Sequence, residues 1–145
     1  VPRYRNSDIP EDGVQAITID STGLKRFGRG EWHNKKYELS SKASWRIFHA
    51  AVNQNHYFEA CKVTDRFCHD DSQVEPLLEQ IKEPINQFTG DGAYDESPVY
   101  EAVIAISPNA EVVIPPRANV VVNDKAAALR NRNIREIEEN GRMQC

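Results

Sequence analysis

Two aspartates, Asp91 and Asp20, have the residue type and setting for chemistry in this 145-residue chain. Asp91 sits in the stretch GDGAYD (90–95), where a glycine on either side allows close approaches that a side chain would block. A turn of that kind presents its carboxylate to a metal, a phosphate or a substrate. Asp20 closes the strand-like run AITID and is followed by Ser21, Thr22 and Gly23. Two short side chains with hard oxygen donors make a shared divalent-metal site a hypothesis. The competing reading of Asp91 is a turn former, because Asp bonds its own backbone and tolerates tight bends.

The elements that must position these carboxylates follow from periodicity. Residues 14–20 alternate as a strand, with Ile17 and Ile19 on one face and Val14, Ala16, Thr18 and Asp20 on the other, so Asp20 is expected to leave the sheet at its end. Residues 21–44, with three glycines and little apolar period, predict a turn and a long excursion. Strands over 44–52 and 56–64, joined through Asn53, Gln54 and Asn55, complete an antiparallel meander. Ser72 opens a helix by the S-x-x-E capping pattern, with Val74, Leu77, Leu78 and Ile81 inward and Pro76 in the first turn. The run INQFT (85–89) is a strand entering the Asp91 turn, and Ser97 and Pro98 open a helix burying Val99, Ala102, Val103 and Ile106. A strand over 111–114 stops at Pro115 and Pro116. A helix over 123–141, in one or two pieces, is capped by Asn123 or Asp124 and ends at Gly141. The order β-β-β-α-β-α-β-α predicts an α+β sheet with helices over it, with 1–13 an extended lead-in and 14–145 one domain.

Composition narrows the function classes. With 39% hydrophobic and 28% charged residues the chain reads as globular. No apolar run approaches a bilayer span and no export signal is present, so an intracellular protein is expected. The three cysteines form no framework spacing and are expected as free thiols, and Cys68–His69 lacks the partners of a zinc site. Formal net charge is −4, yet the charges are segregated: seven Lys and Arg against two Glu over 22–48, three basic against eleven acidic over 59–101. The basic stretch holds Trp32, Tyr37 and Trp45, a mixture suited to phosphates and bases or to a solvated hairpin. Lys25, Arg26, Arg29, Lys35 and Lys36 are the phosphate-contact candidates, and Arg117 is either a bidentate phosphate ligand or a strand-end cap. His49 and Tyr94 are read as site residues or, alternatively, as packed side chains.

Seven blocks carry a resemblance: DSTGLK from Asp20, GRGEW from Gly28, SWRIFHAAV from Ser44, HDDSQVEPLLEQI from His69, GDGAYD from Gly90, VIPPR from Val113 and LRNRNIREI from Leu129. Together they resemble the catalytic core of bacterial insertion-sequence transposases of the IS5 group, within the IS4-type DDE superfamily. That resemblance implies a ribonuclease H-like fold, a mixed five-stranded sheet flanked by helices, whose first and fourth strands are neighbours. It implies Mg²⁺, with Mn²⁺ as substitute, and DNA cleavage and strand transfer with Asp20 and Asp91 as catalytic acids and metal ligands. The implied partner is DNA, both insertion-sequence ends and target, in the bacterial cytoplasm at the nucleoid. A homodimer is left open, with no membrane and no small-molecule substrate.

The resemblance places the third acid on a helix beyond 134–142, and the chain ends at Cys145 before it. Glu136, Glu138 and Glu139 lie upstream and read as exposed helix charges. GRMQC replaces the continuation implied after the Gly-Arg pair, and nothing before Val14 has the length of the implied N-terminal DNA-binding region. The expectation is therefore a core incomplete at its C-terminus and inactive alone. The alternative is a noncatalytic remnant that binds DNA or an intact transposase protomer; a third reading is an unrelated hydrolase using the same two aspartates, which metal-dependent phosphomonoester turnover without DNA cleavage would support.

Overall fold

The computed structural model describes residues 15–25, 45–117 and 128–140. Strand β1 (Gln15–Lys25) is central, flanked by β2 (Trp45–Asn53) and β4 (Ile85–Thr89), with β3 (Phe58–Asp65) and β5 (Glu111–Val113) outside. The sheet order is β3-β2-β1-β4-β5; β1–β2 and β2–β3 are antiparallel, β1–β4 and β4–β5 parallel. Among the described residues three helices, α1 (Val74–Leu78), α2 (Ser97–Ile106) and α3 (Ala128–Asn140), complete a mixed α+β fold consistent with the ribonuclease H-like class. The first and fourth strands are neighbours, as the resemblance implied.

Alternation sets the faces. Ile17 and Ile19 are buried and pack with Ala51, Phe88 and Val112 of the sheet, Val74, Leu77 and Leu78 of α1, and Val99, Tyr100 and Val103 of α2. Each fully buried Val, Leu, Ile or Phe of this layer contributes ~1.5–3 kcal/mol, so the layer fixes the sheet register. On the opposite face Phe48 and Phe58 meet edge to face, with ring centroids 6.1 Å apart.

Four expectations need correction. Asp20 does not leave the sheet: β1 runs on to Lys25, because Gly23 pairs with Ile47 and Lys25 with Trp45, and the ladder overrides the turn-like Ser-Thr-Gly. Ser72 does not cap α1; its hydroxyl donates to the His69 carbonyl at 2.7 Å, and a 3₁₀ turn (Asp71–Gln73) leads into a five-residue helix. That helix ends before Ile81, which still packs on the core. In α2 it is Tyr100 that is fully buried, while Ile106 is 39% exposed. The caps expected at Asn123, Asp124 and Gly141 lie outside the described residues. Among those described, no helix is long and apolar enough to cross a membrane.

Candidate functional site

Parallel pairing of β1 with β4 sets Thr18 opposite Thr89, and Asp20 and Asp91 each follow two residues later. The two carboxylates thus lie at one level of the sheet, Asp20 within β1 and Asp91 just past the end of β4, on adjacent strands whose spacing is ~4.8 Å. The structure brings together residues 71 positions apart in the chain. Asp20 is exposed and its Oδ1 accepts from the Ser21 amide at 2.7 Å. Asp91, also exposed, has extended backbone and caps the 3₁₀ turn Gly92–Tyr94, its Oδ1 accepting from the Ala93 amide at 2.8 Å.

The flanking glycines serve close packing. A Cβ at Gly90 would lie 3.1 Å from the buried Tyr94 ring, and one at Gly92 would lie 3.3 Å from the Pro115 carbonyl oxygen. The turn is therefore pressed between a ring below and the 113–117 segment beside it. That is why glycine precedes and follows the acid here.

The donor set fits a small, hard divalent cation. Each aspartate engages its Oδ1 with a nearby backbone amide, Asp20 within strand β1 and Asp91 at its turn, and among the described residues neither Oδ2 has a hydrogen-bond partner. Mg²⁺ is commonly held by one or two carboxylates, with water and substrate phosphate oxygens filling the remaining positions. Among the described residues no three His, Cys, Asp or Glu side chains cluster closely enough to hold a metal ion. Glu136, Glu138 and Glu139 are exposed on α3.

Beneath the pair lies a buried polar layer. Tyr94 is 1% exposed; burial first, then the Asp70 charge, pushes its phenol well above the ordinary value, with Asp20 and Asp91 adding smaller pushes and Ser21 pulling the other way. The phenol stays protonated and neutral, and among the described residues its buried hydroxyl has no hydrogen-bond partner. His49 is fully buried on β2. Its Nε2 meets Thr64 Oγ1 at 2.9 Å, while its Nδ1 lies 3.4 Å from Asp70 Oδ1 without a well-formed hydrogen bond. Burial holds the His49 pKa below its usual value against the opposing pull of Asp70, with Lys62 lowering it further. His49 and Tyr94 are thus packed residues, one of the two readings the sequence left open for each.

Asp95, the last residue of GDGAYD, is what sequence reasoning missed. Its side chain is fully buried and accepts from Arg130 Nε at 2.7 Å, Arg130 Nη2 at 3.0 Å, Tyr100 Oη at 3.3 Å and the Arg117 amide at 3.2 Å. The bidentate pair with Arg130 ties α3 to the Asp91 turn across 35 residues of sequence. The only sequence signal was an acid and an arginine, each inside a conspicuous block. Arg117 itself spans the turn, donating to the Gly92 and Ala93 carbonyls at 3.3 and 3.4 Å and pairing with Glu96 at 2.8 Å. It borders a cavity of about 450 Å³ lined by His69, Asp70, Asp71, Ala93 and Glu96.

Of the other phosphate-contact candidates, Lys25 is exposed at the end of β1, and Arg26, Arg29, Lys35 and Lys36 lie outside the described residues. Cys61 and Cys68 are free thiols, as expected; Cys145 is outside the described residues.

No solved structure matches the chain. The family model of the transposase DDE domain matches residues 13–144. That span takes in both aspartates and every strand and helix of the described residues. On this evidence the chain belongs to the transposase DDE domain family.

Proposed function

We propose that this domain carries out metal-dependent cleavage and strand transfer of DNA phosphodiesters, as in insertion-sequence transposases of the IS5 group, with Asp20 and Asp91 as its acidic pair. The observation that carries the reading is the parallel β1–β4 register, which sets both carboxylates at one level of two neighbouring strands within a DDE transposase domain. Asp20 and Asp91 are the residues to hold Mg²⁺, or Mn²⁺ in its place. A divalent cation there supplies Lewis-acid polarisation of a phosphoryl oxygen and a water or hydroxyl made nucleophilic near neutral pH.

The protein's own part is orientation. The Ser21 and Ala93 amides each fix one oxygen of an aspartate, leaving the other to face the substrate. Tyr94 closes the floor as a neutral ring, and the Asp95–Arg130 pair keeps the turn from yielding. Lys25 and the basic residues that follow it are the candidates for DNA phosphates. Arg117 serves the turn first, since its guanidinium is committed to two carbonyls and Glu96. A bacterial nucleoid location and a dimeric assembly are parts of the same proposal.

A second reading, a domain that binds DNA or a transposase protomer without cutting, is favoured by the lack of a three-ligand cluster among the described residues. Calorimetric titration with Mn²⁺ tests the first reading. Asp20→Asn and Asp91→Asn each keep an oxygen for the local amide, so the local backbone geometry survives and only the charge is lost. Each substitution is expected to weaken Mn²⁺ binding at least ~10-fold, about 1.4 kcal/mol. Equal binding by all three proteins would sink the paired-carboxylate site. DNA binding that is salt-sensitive yet indifferent to both substitutions, without cleavage, would select the second reading.

A further inference from the structure

Past Asp20 the three strands β1, β2 and β3 continue together, because β4 stops at Thr89, opposite Thr18. The ladder pairs Lys25 with Trp45, Leu24 with Arg46, and Arg46 with Asp65, after which the chain leaves β3 through Arg66 and Phe67. One end of this projection thus gathers Lys25, Trp45, Arg46, Arg66 and Phe67. At ~3.3 Å per residue it lies roughly 17 Å beyond Asp20.

The chemistry of this tip is specific. Phe67 is 73% exposed and Trp45 42% exposed, large rings in water with planar faces to offer. The Arg66 guanidinium sits 4.5 Å over the centroid of the Phe67 ring. Trp45 rests against Gly23, where a Cβ would come within 3.3 Å of its ring, so the indole is seated rather than loose. Asp65, at the end of β3, is engaged locally, accepting from the Phe67 amide at 2.8 Å. A chain of net charge −4 here sets Arg46, whose Nη1 donates to the Trp45 carbonyl at 3.1 Å, and Arg66 beside two exposed rings.

We propose that this projection is a DNA-docking surface, with Arg46 and Arg66 on backbone phosphates and Phe67 and Trp45 against bases of the strand leading away from the Asp20–Asp91 pair. Guanidinium groups take phosphate oxygens, and aromatic faces stack on any base, which is the pairing of groups that single-stranded DNA meets. An acidic peptide would engage the cations and leave both rings bare. The inference rests on the DNA-processing reading above and adds the surface that reading did not assign. At ~3.4 Å per nucleotide along one strand, the contact falls about five nucleotides from the acidic pair.

The test is fluorescence anisotropy with the 145-residue chain and a fluorescein-labelled duplex carrying a single-stranded overhang, over a range of salt. Arg46→Gln with Arg66→Gln is expected to weaken binding about 10-fold or more and to flatten the salt slope by about 1.4 to 1.8, two phosphate contacts' worth. Phe67→Ala, at a site that is 73% exposed, should weaken overhang binding about 5-fold or more while leaving blunt duplex unchanged. Independently of arm substitutions, Trp45 fluorescence in a Trp32→Phe background should be quenched by the oligonucleotide. Wild-type affinity and salt slope in the arm variants, with no quenching, would overturn the docking surface while DNA binding itself stands. Failure of the unmodified chain to bind DNA at low salt would overturn both the surface and the reading beneath it.

Discussion

Asp95 has no solvent and four donors, and its neighbour in space is an arginine whose own pKa is raised by that carboxylate. Removing one member of such a buried pair leaves the other uncompensated. Arg130→Ala is therefore expected to destabilise the domain by about 3–5 kcal/mol in urea denaturation. Arg130→Lys should recover only part of that loss, because a point charge cannot reproduce the two parallel bonds to Oδ1 and Oδ2. A change in Arg130→Ala within roughly 0.5 kcal/mol of wild type would show that the pair does not hold the turn. The same logic explains why Asp91 can stand exposed: its position is fixed by a neighbour four residues on, not by its own contacts with the core.

Helix α3 shows how an element is attached at a sheet edge. Strand β5 is the last of the sheet, and the buried Asn133 side chain donates to the Val112 carbonyl at 2.9 Å, covering part of an otherwise open edge. Leu129 and Ile134 add the apolar part of the contact. Asn133→Ala should cost about 1–3 kcal/mol, the penalty for a buried carbonyl left unsatisfied. Hydrogen exchange is the discriminating measurement: amides of α3 and β5 should exchange faster while those of β1 and β2 keep their protection. Uniform acceleration across the sheet would mean that α3 is not a separately docked element.

For the molecule as a whole, His49 links stability to pH. Burial holds its folded pKa below the unfolded value near 6.5, with Asp70 opposing and Lys62 reinforcing the shift. Below about pH 6.5 the unfolded chain takes up the proton first, so this residue makes stability fall as pH is lowered until the folded value is reached, and adds nothing above that window. Urea midpoints between about pH 5 and 8 should therefore decline more steeply on acidification for wild type than for His49→Gln. Parallel curves would show that another group governs the acid side.

Much of this domain was legible in its residues. The order β-β-β-α-β-α-β-α, the inward Ile17 and Ile19, and the helix opened by Ser97 and Pro98 are local consequences of periodicity and proline geometry, and the structure has them. The glycines around Asp91 could be seen as an invitation to a close contact, though not that Tyr94 and Pro115 make it. Local signals failed where pairing between distant segments outweighed them: β1 extends through Ser-Thr-Gly because β2 supplies partners, and Ser72 gives its hydroxyl to His69 instead of capping a helix. The sequence alone determined the types of the acidic pair and the elements that carry them. Tertiary structure alone decided that β1 and β4 lie side by side, that Asp95 meets Arg130, and that the ends of β1 and β2 and the turn after β3 come together, because contacts between residues far apart in the chain depend on which strands pair and which helix docks, and no local period encodes that choice.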